Sequence, residues 1–253
     1  MSGPASTTLV TEAVVVRLVD YGEADRILTL FTRAAGKLGA LAKSARKSQR
    51  RFAGAALFTI GEATLRKRRG ELWACEGFTP KNGHAGIALD VTRVAHAAYA
   101  TELARELVAV EVRDDRIYDL VTGMLSDIER GGVGPAELRV YELALLDAVG
   151  LAPSLERCVA CDGPPGDDLH QRLDARRGGL LCGRCGERGE GPLLDGEVRR
   201  ALVDAQQGRA MTGLPAVALA ARAAVQSLLG EHLTHPLRSL EFIAKLNAAT
   251  RTG

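Results

Sequence analysis

The apolar positions change period along the chain, and each change predicts a different kind of element. From Thr11 to Val19 the residues are rich in β-branched types (Thr11, Val14, Val15, Val16, Val19), and Asp20-Tyr21-Gly22-Glu23 then supplies turn chemistry before Arg26–Thr32. A break at Ala34-Ala35-Gly36 leads into a third strand over Lys37–Ala45. After a basic loop come Leu57–Arg68 and Leu72–Phe78, joined across Arg69-Gly70-Glu71. Beyond Gly86 the spacing becomes helical: Val94, Ala97, Ala98, Thr101, Leu103, Leu107, Val108 and Val110 predict a helix running through Val112. Ile117–Ile128 and Pro135–Val149 follow, the latter with Pro just inside its start and Gly150 at its end. Periodicity is lost from Leu151 to Gly191, where Gly, Pro and Cys accumulate, and helices resume over Asp195–Ala205, Pro215–Leu229 and Leu237–Ala249.

Five short strands with a long loop between the third and fourth fit a small closed barrel such as an OB-fold. An open meander matches the pattern nearly as well. The need to cover short strands without a helix in the same segment favours closure. The expected fold is therefore α+β and multidomain: an N-terminal five-stranded barrel (1–81), a helical domain in two parts (82–154 and 192–253), and a cysteine-bearing insert (155–191).

Composition adds the contrast between these parts. The 253 residues are 46% hydrophobic and 25% charged, which excludes a disordered or collagen-like chain. The formal net charge is only +2, but residues 1–81 hold 14 Lys/Arg against 7 Asp/Glu, or +7, leaving −5 for the rest. Six of the ten aromatics (Tyr21, Phe31, Phe52, Phe58, Trp73, Phe78) share the basic third. No apolar run is long enough for a membrane helix, and residues 1–8 lack the pattern of a signal peptide, so a cytoplasmic, nucleoid-associated location is expected.

Four of the five cysteines are paired by spacing, Cys158-x2-Cys161 and Cys182-x2-Cys185, with twenty residues between the pairs. A C-x-x-C turn points both sulfurs to one side, and two such knuckles complete a tetrahedron suited to one structural Zn²⁺ per chain. Two separate redox pairs are the other reading. Four thiolates leave no open coordination position, so such a metal would hold a fold together and perform no hydrolysis. Cys75, next to Trp73 in a predicted strand, reads as a buried core thiol.

Between Arg33 and Arg51 stand seven basic residues (Arg33, Lys37, Lys43, Arg46, Lys47, Arg50, Arg51) and no acidic one. A solvated face mixes signs, whereas this run is the electrostatic footprint of a polyanion, and Arg66-Lys67-Arg68-Arg69 adds a second cluster. A solubilising patch or contact with an acidic protein is the alternative. On an OB-fold the turn between strands four and five flanks the oligonucleotide groove, which favours single strands through cations and aromatic stacking. The five histidines form no metalloprotease or deaminase pattern, and no Walker or nucleophile-elbow motif occurs. The pairs Asp114-Asp115 and Asp167-Asp168 read as solvation of loops and helix ends, so no enzyme is expected.

Several ordered motifs resemble the RecO family of recombination mediators. Gly36-Lys37 followed by Ala42-Lys43-Ser44-Ala45-Arg46-Lys47 is similar to the family's G-K…A-K-G-A-R-K run, with Ser44 in place of the usual glycine. Tyr99-x2-Glu102-Leu103 resembles its first helical marker. Arg139-x-Tyr141-Glu142-Leu143-x-Leu145-Leu146, then Gly150-Leu151-x-Pro153 and Cys158-x2-Cys161, follow its central pattern. Gly230-Glu231-His232-Leu233 through Leu237-Arg238-Ser239-Leu240 is similar to its end.

The resemblance implies a protein that binds single- and double-stranded DNA, anneals complementary strands, and works with RecR to load RecA onto strands coated by single-stranded DNA-binding protein. It implies no catalytic residue. Annealing needs cations that screen two phosphate backbones at once, which points to Lys37, Lys43, Arg46, Lys47, Arg50 and Arg51. A second reading makes the helical domain the working surface for RecR or for the acidic tail of the single-strand binding protein, with Arg105, Arg113 and Arg116 as candidates. That surface is a poor match, since residues 82–150 carry 6 basic against 12 acidic side chains. A generic zinc-ribbon factor without annealing activity is the remaining rival. Arg176, Arg177, Arg184 and Arg188 leave open whether the cysteine segment touches DNA.

Overall fold

The computed structural model describes residues 8–48, 50–166, 171–187, 189, 191–209, 211 and 215–250. Asp167, Asp168, His170 and Arg188 lie outside them. The chain divides into two compact units, residues 1–131 with 239–253, and residues 132–238.

In the first unit, strands β1 (Thr8–Tyr21), β2 (Asp25–Thr32), β3 (Gly36–Ala42), β4 (Ile60–Arg66) and β5 (Trp73–Asn82) close into a barrel in the order β1-β2-β3-β5-β4. All pairs are antiparallel except β3 with β5, which run parallel over Ala40–Ala42 and Trp73–Cys75. This is the expected OB-fold, and the open meander is excluded because β4 pairs back onto β1. Alternation along each strand turns Ala13, Val15, Leu28, Leu30, Leu38, Ala40, Ala63, Leu65 and Phe78 into one shared core. A register shift between Val15 and Arg17 lets the 14-residue β1 bend around the barrel.

Strand ends differ from the sequence reading by one to four residues, β4 beginning at Ile60 and β5 running to Asn82, and two of the differing boundaries have a clear local reason. The third strand stops at Ala42, not Ala45, because Ser44 takes a left-handed φ of 57° and its N–H donates to the Asp25 carboxylate at 2.8 Å. That conformation suits glycine far better than serine. The first helix, α1 (Val91–Leu107), ends five residues before Val112 because Val110 forms a parallel bridge to Lys37 and Glu111 N–H donates to the Lys37 carbonyl at 2.7 Å. Asp90 opens this helix, accepting from the N–H groups of Thr92 and Arg93.

Helix α2 (Asp115–Glu129) buries Ile117, Tyr118, Val121, Met124, Leu125 and Ile128, packs on α1, and completes this part of the first unit. Buried His84, at the end of β5, bonds the Phe58 carbonyl through Nδ1 (2.8 Å) and Ser126 Oγ of α2 through Nε2 (3.3 Å). The last helix, α7 (Arg238–Thr250), returns to the same unit: Glu102 on α1 accepts from Ser239 N–H at 2.8 Å and from its hydroxyl at 2.5 Å. The marker glutamate and the C-terminal serine are thus two ends of one contact.

The second unit opens with α3 (Pro135–Ala148), started by Pro135 and by Glu137 accepting from Gly134 N–H. It ends where Gly150 takes φ 79° and Leu151 N–H reaches back to the Leu146 carbonyl at 2.7 Å. Arg139, Tyr141, Glu142 and Leu143 are all buried, and Arg139 pairs with Glu142, so the central motif is a core motif. The segment that looked aperiodic contains a three-stranded sheet of β6 (Gln171–Asp174), β7 (Gly179–Leu181) and β8 (Leu193–Leu194), in the order β7-β6-β8. Its strands are too short for alternation to show. A one-turn helix, α4 (Gly183–Gly186), follows β7, and α5 (Gly196–Gln206) and α6 (Pro215–Gly230) complete the unit. Among the described residues no helix is long and apolar enough to cross a membrane.

Candidate nucleic-acid interface and metal centre

The basic run leaves the barrel as β3 ends. Lys43, Arg46, Lys47, Arg50 and Arg51 are all exposed. Their loop is fixed at several points: Arg46 N–H donates to the Ala24 carbonyl at 3.0 Å, Arg51 guanidinium to the Lys43 carbonyl at 3.3 Å, and Phe78 N–H to the Arg51 carbonyl at 2.8 Å. Arg51 also lies over the ring of buried Phe52, 5.4 Å from its centroid. Arg46 faces Asp20 at 3.6 Å, a weak exposed pair. Lys43, Lys47 and Arg50 have no carboxylate partner among the described residues.

Lys37 is turned elsewhere. Its ammonium donates to the Arg105 carbonyl in the last turn of α1, and burial lowers its pKa. It serves the barrel–helix contact and offers little to a phosphate from outside. The second cluster stands in the turn between β4 and β5, where Leu72 packs on Gly39 in the middle of β3. There Arg66 pairs with Glu76 and Lys67 with Glu111, while Arg68 and Arg69 are exposed without a carboxylate partner among the described residues. Sequence reasoning missed Arg17, exposed on β1 and paired in register with Thr29, which in turn faces Gly39. A lone arginine in a valine-rich strand was the available signal. The candidates for an acidic partner are occupied by their neighbours: Arg105 by Glu102 and Glu106, Arg113 by Asp115, Arg116 by Asp114.

The four cysteines converge. All four sulfurs of Cys158, Cys161, Cys182 and Cys185 lie within 4.8 Å of one another, and Cys161 and Cys182 are 3.9 Å apart. A disulfide needs about 2.05 Å, whereas a tetrahedron of thiolates with bonds of about 2.3 Å has edges of about 3.8 Å, so the cluster fits zinc binding. Each knuckle has its own local cause. Asp162 takes φ 56° and its N–H donates to the Cys158 carbonyl at 2.8 Å, while Arg157 clamps the Asp162 carboxylate at 2.7 and 2.8 Å. Cys182 caps α4, which carries Cys185. The knuckles are tied together through β7: Val159 N–H donates to the Leu180 carbonyl and Leu180 N–H to the Ser154 carbonyl, both at 2.8 Å. For Cys158 burial pushes the thiol up, but the N–H groups of Cys182, Ala160 and Cys161 outweigh it and bring the pKa down to about 6. Cys185 is pushed up to about 12 by bonding to Cys182 and Cys161, so it keeps its proton and shares it with the neighbouring sulfurs. Arg184, held by Cys161 first, lends the cluster a cation. Cys75 is a buried thiol pushed up to about 12 by burial, as a core position requires.

Family models describe both parts of the chain: Recombination protein O N terminal matches residues 7–83 and Recombination protein O C terminal matches residues 88–241. The chain belongs to the RecO family of DNA repair proteins. Relatives named DNA repair protein RecO include one from Anaeromyxobacter dehalogenans (strain 2CP-C), 39% identical over 242 residues that cover 92% of this chain and 94% of the relative. Those of Myxococcus xanthus (35% over 237 residues, 93% and 96%) and Geobacter sulfurreducens (36% over 244 residues, 93% and 97%) match across the same span. The RecO family assignment agrees with the OB-fold of the barrel.

Proposed function

We propose that this chain is a recombination mediator that binds single- and double-stranded DNA through its barrel and anneals complementary strands. With RecR it promotes RecA loading on strands coated by single-stranded DNA-binding protein. One observation carries this reading: Lys43, Lys47 and Arg50 in the loop after β3, and Arg68 and Arg69 in the turn between β4 and β5, are exposed with no carboxylate partner among the described residues. Cations already paired gain little from a phosphate, whereas these five exchange only water and counterions for it. Residues 1–81 act as the DNA-binding part, and the role is non-catalytic and nucleoid-associated. The metal is one structural zinc, held by Cys158, Cys161, Cys182 and Cys185 in the manner of a closed site.

The test is annealing of complementary strands coated with their cognate binding protein, comparing the parent with a Lys43→Ala, Lys47→Ala, Arg50→Ala variant. The parent accelerates annealing and the variant does not, and the salt slope of single-strand affinity flattens by about 0.7 per lost contact, roughly 2 in all. Absence of annealing by the folded, metal-loaded parent overturns the mediator reading in favour of a zinc-ribbon binding factor.

A further inference from the structure

The strap Val108–Asp114 between α1 and α2 lies along the part of β3 that β5 leaves uncovered. It is held through backbone: Val110 bridges Lys37, Glu111 N–H donates to the Lys37 carbonyl, and the Val112 carbonyl approaches Gly36 so closely that a Cβ there would stand 2.0 Å from it. Apolar burial contributes little, since Val110 and Val112 are 60% and 52% exposed. At its centre Glu111 takes a left-handed φ of 58°, an unfavourable conformation for a residue with a Cβ.

That backbone aims one carboxylate oxygen, Oε1, at two donors that flank the turn between β4 and β5, Lys67 at its start and Trp73 at the head of β5. It accepts from the Lys67 ammonium and from the Trp73 indole N–H at 2.7 Å, while Lys67 lies over the Trp73 ring, 4.9 Å from its centroid. Lys67 first, and Trp73 second, hold the Glu111 carboxyl below its ordinary range, so it stays ionised. Two convergent donors beside an aromatic face form an anion site whose present occupant belongs to the chain itself.

We propose that Lys67 and Trp73 form a subsite for one backbone phosphate of single-stranded DNA, and that Glu111 is its built-in occupant, displaced as the strand binds. The inference rests on the reading of the barrel as a DNA-binding surface and sharpens it. A phosphodiester oxygen is a single anion that accepts from the same two donors, so the exchange replaces like with like and only the Glu111 side chain has to move. Because the displaced carboxylate is a rival, the subsite fills only for a strand already held by the cations of the loop after β3. Short or isolated anions are thereby rejected.

Trp73 is the only tryptophan in the chain, so its emission reports this site directly. An oligo-dT strand is titrated onto the full chain, following both strand anisotropy and Trp73 emission. The expected result is an emission change with the same midpoint as binding. Glu111→Gln, which keeps a hydrogen-bonding group for Trp73, binds the strand about three- to fivefold more tightly, the scale of one exposed ion pair. Its salt slope steepens by about 0.7. In a Lys67→Ala background Glu111→Gln has no effect, whereas Glu76→Gln, which removes a neighbouring charge, changes affinity equally with or without Lys67. Strand binding with silent Trp73 emission, or a Glu111→Gln gain undiminished by Lys67→Ala, overturns the subsite and leaves the DNA reading intact. Absence of strand binding overturns both.

Discussion

The barrel and the four-cysteine segment are both small β structures, yet they are held by different forces. In the barrel five strands of seven to fourteen residues close on themselves and bury Ala13, Val15, Leu30, Ala40, Ala63 and Leu65 completely. Its sheet has no free edge over most of its length, and its charges stay at the periphery. The sheet of the cysteine segment has strands of four, three and two residues and only Leu173, Leu180, Leu181 and Leu194 as its buried apolar set. A sheet with so small an apolar set needs a staple. The difference teaches where this chain needs a ligand to be folded and where it does not.

The largest test of that contrast is removal of the metal. Chelation, or Cys158→Ser, withdraws a term that in isolated zinc peptides is on the order of 10 kcal/mol, so amides of β6 and β7 lose hydrogen-exchange protection while those of β1–β3 keep it. Persistent protection at Leu173 and Leu180 in the metal-free protein would break the comparison. The converse substitution, Leu30→Ala, opens a cavity in the barrel and lowers its stability by ~2–5 kcal/mol, read from the urea midpoint, with the metal content of the protein unchanged. Smallest is Ser44→Gly, which relieves the left-handed φ at the end of β3. It raises the barrel's denaturation midpoint by the equivalent of up to ~1 kcal/mol and leaves the cysteine segment unaffected.

Much of this was legible in the sequence because the signals were local. β-Branched runs bounded by turn residues located five strands, three- and four-residue spacings located the helices, and two C-x-x-C turns located the metal centre within one segment. Errors fell where a distant partner overrides a local pattern. Helical spacing continues through Val112, but Lys37 of β3 recruits Val110 and Glu111 into an extended pairing. Lys37 itself counted as a surface cation until the helix end supplied a carbonyl for it. Arg105, Arg113 and Arg116, poor candidates for an acidic partner from the charge balance alone, are engaged by adjacent carboxylates. The strands of the cysteine segment were invisible because two to four residues cannot display a period of two.

The sequence by itself determined the element types, the basic character of the first third, the two cysteine pairs and, through ordered motifs, the family. Those properties depend on residue type and on spacings shorter than one element. Only the tertiary structure decided which cations face solvent unpaired, that Glu102 of α1 meets Ser239 across 137 positions, and that Glu111 sits on Lys67 and Trp73. Each of those is a pairing of groups far apart in the chain, and charge or hydrogen-bond partners at such separation are fixed by where the backbone brings them.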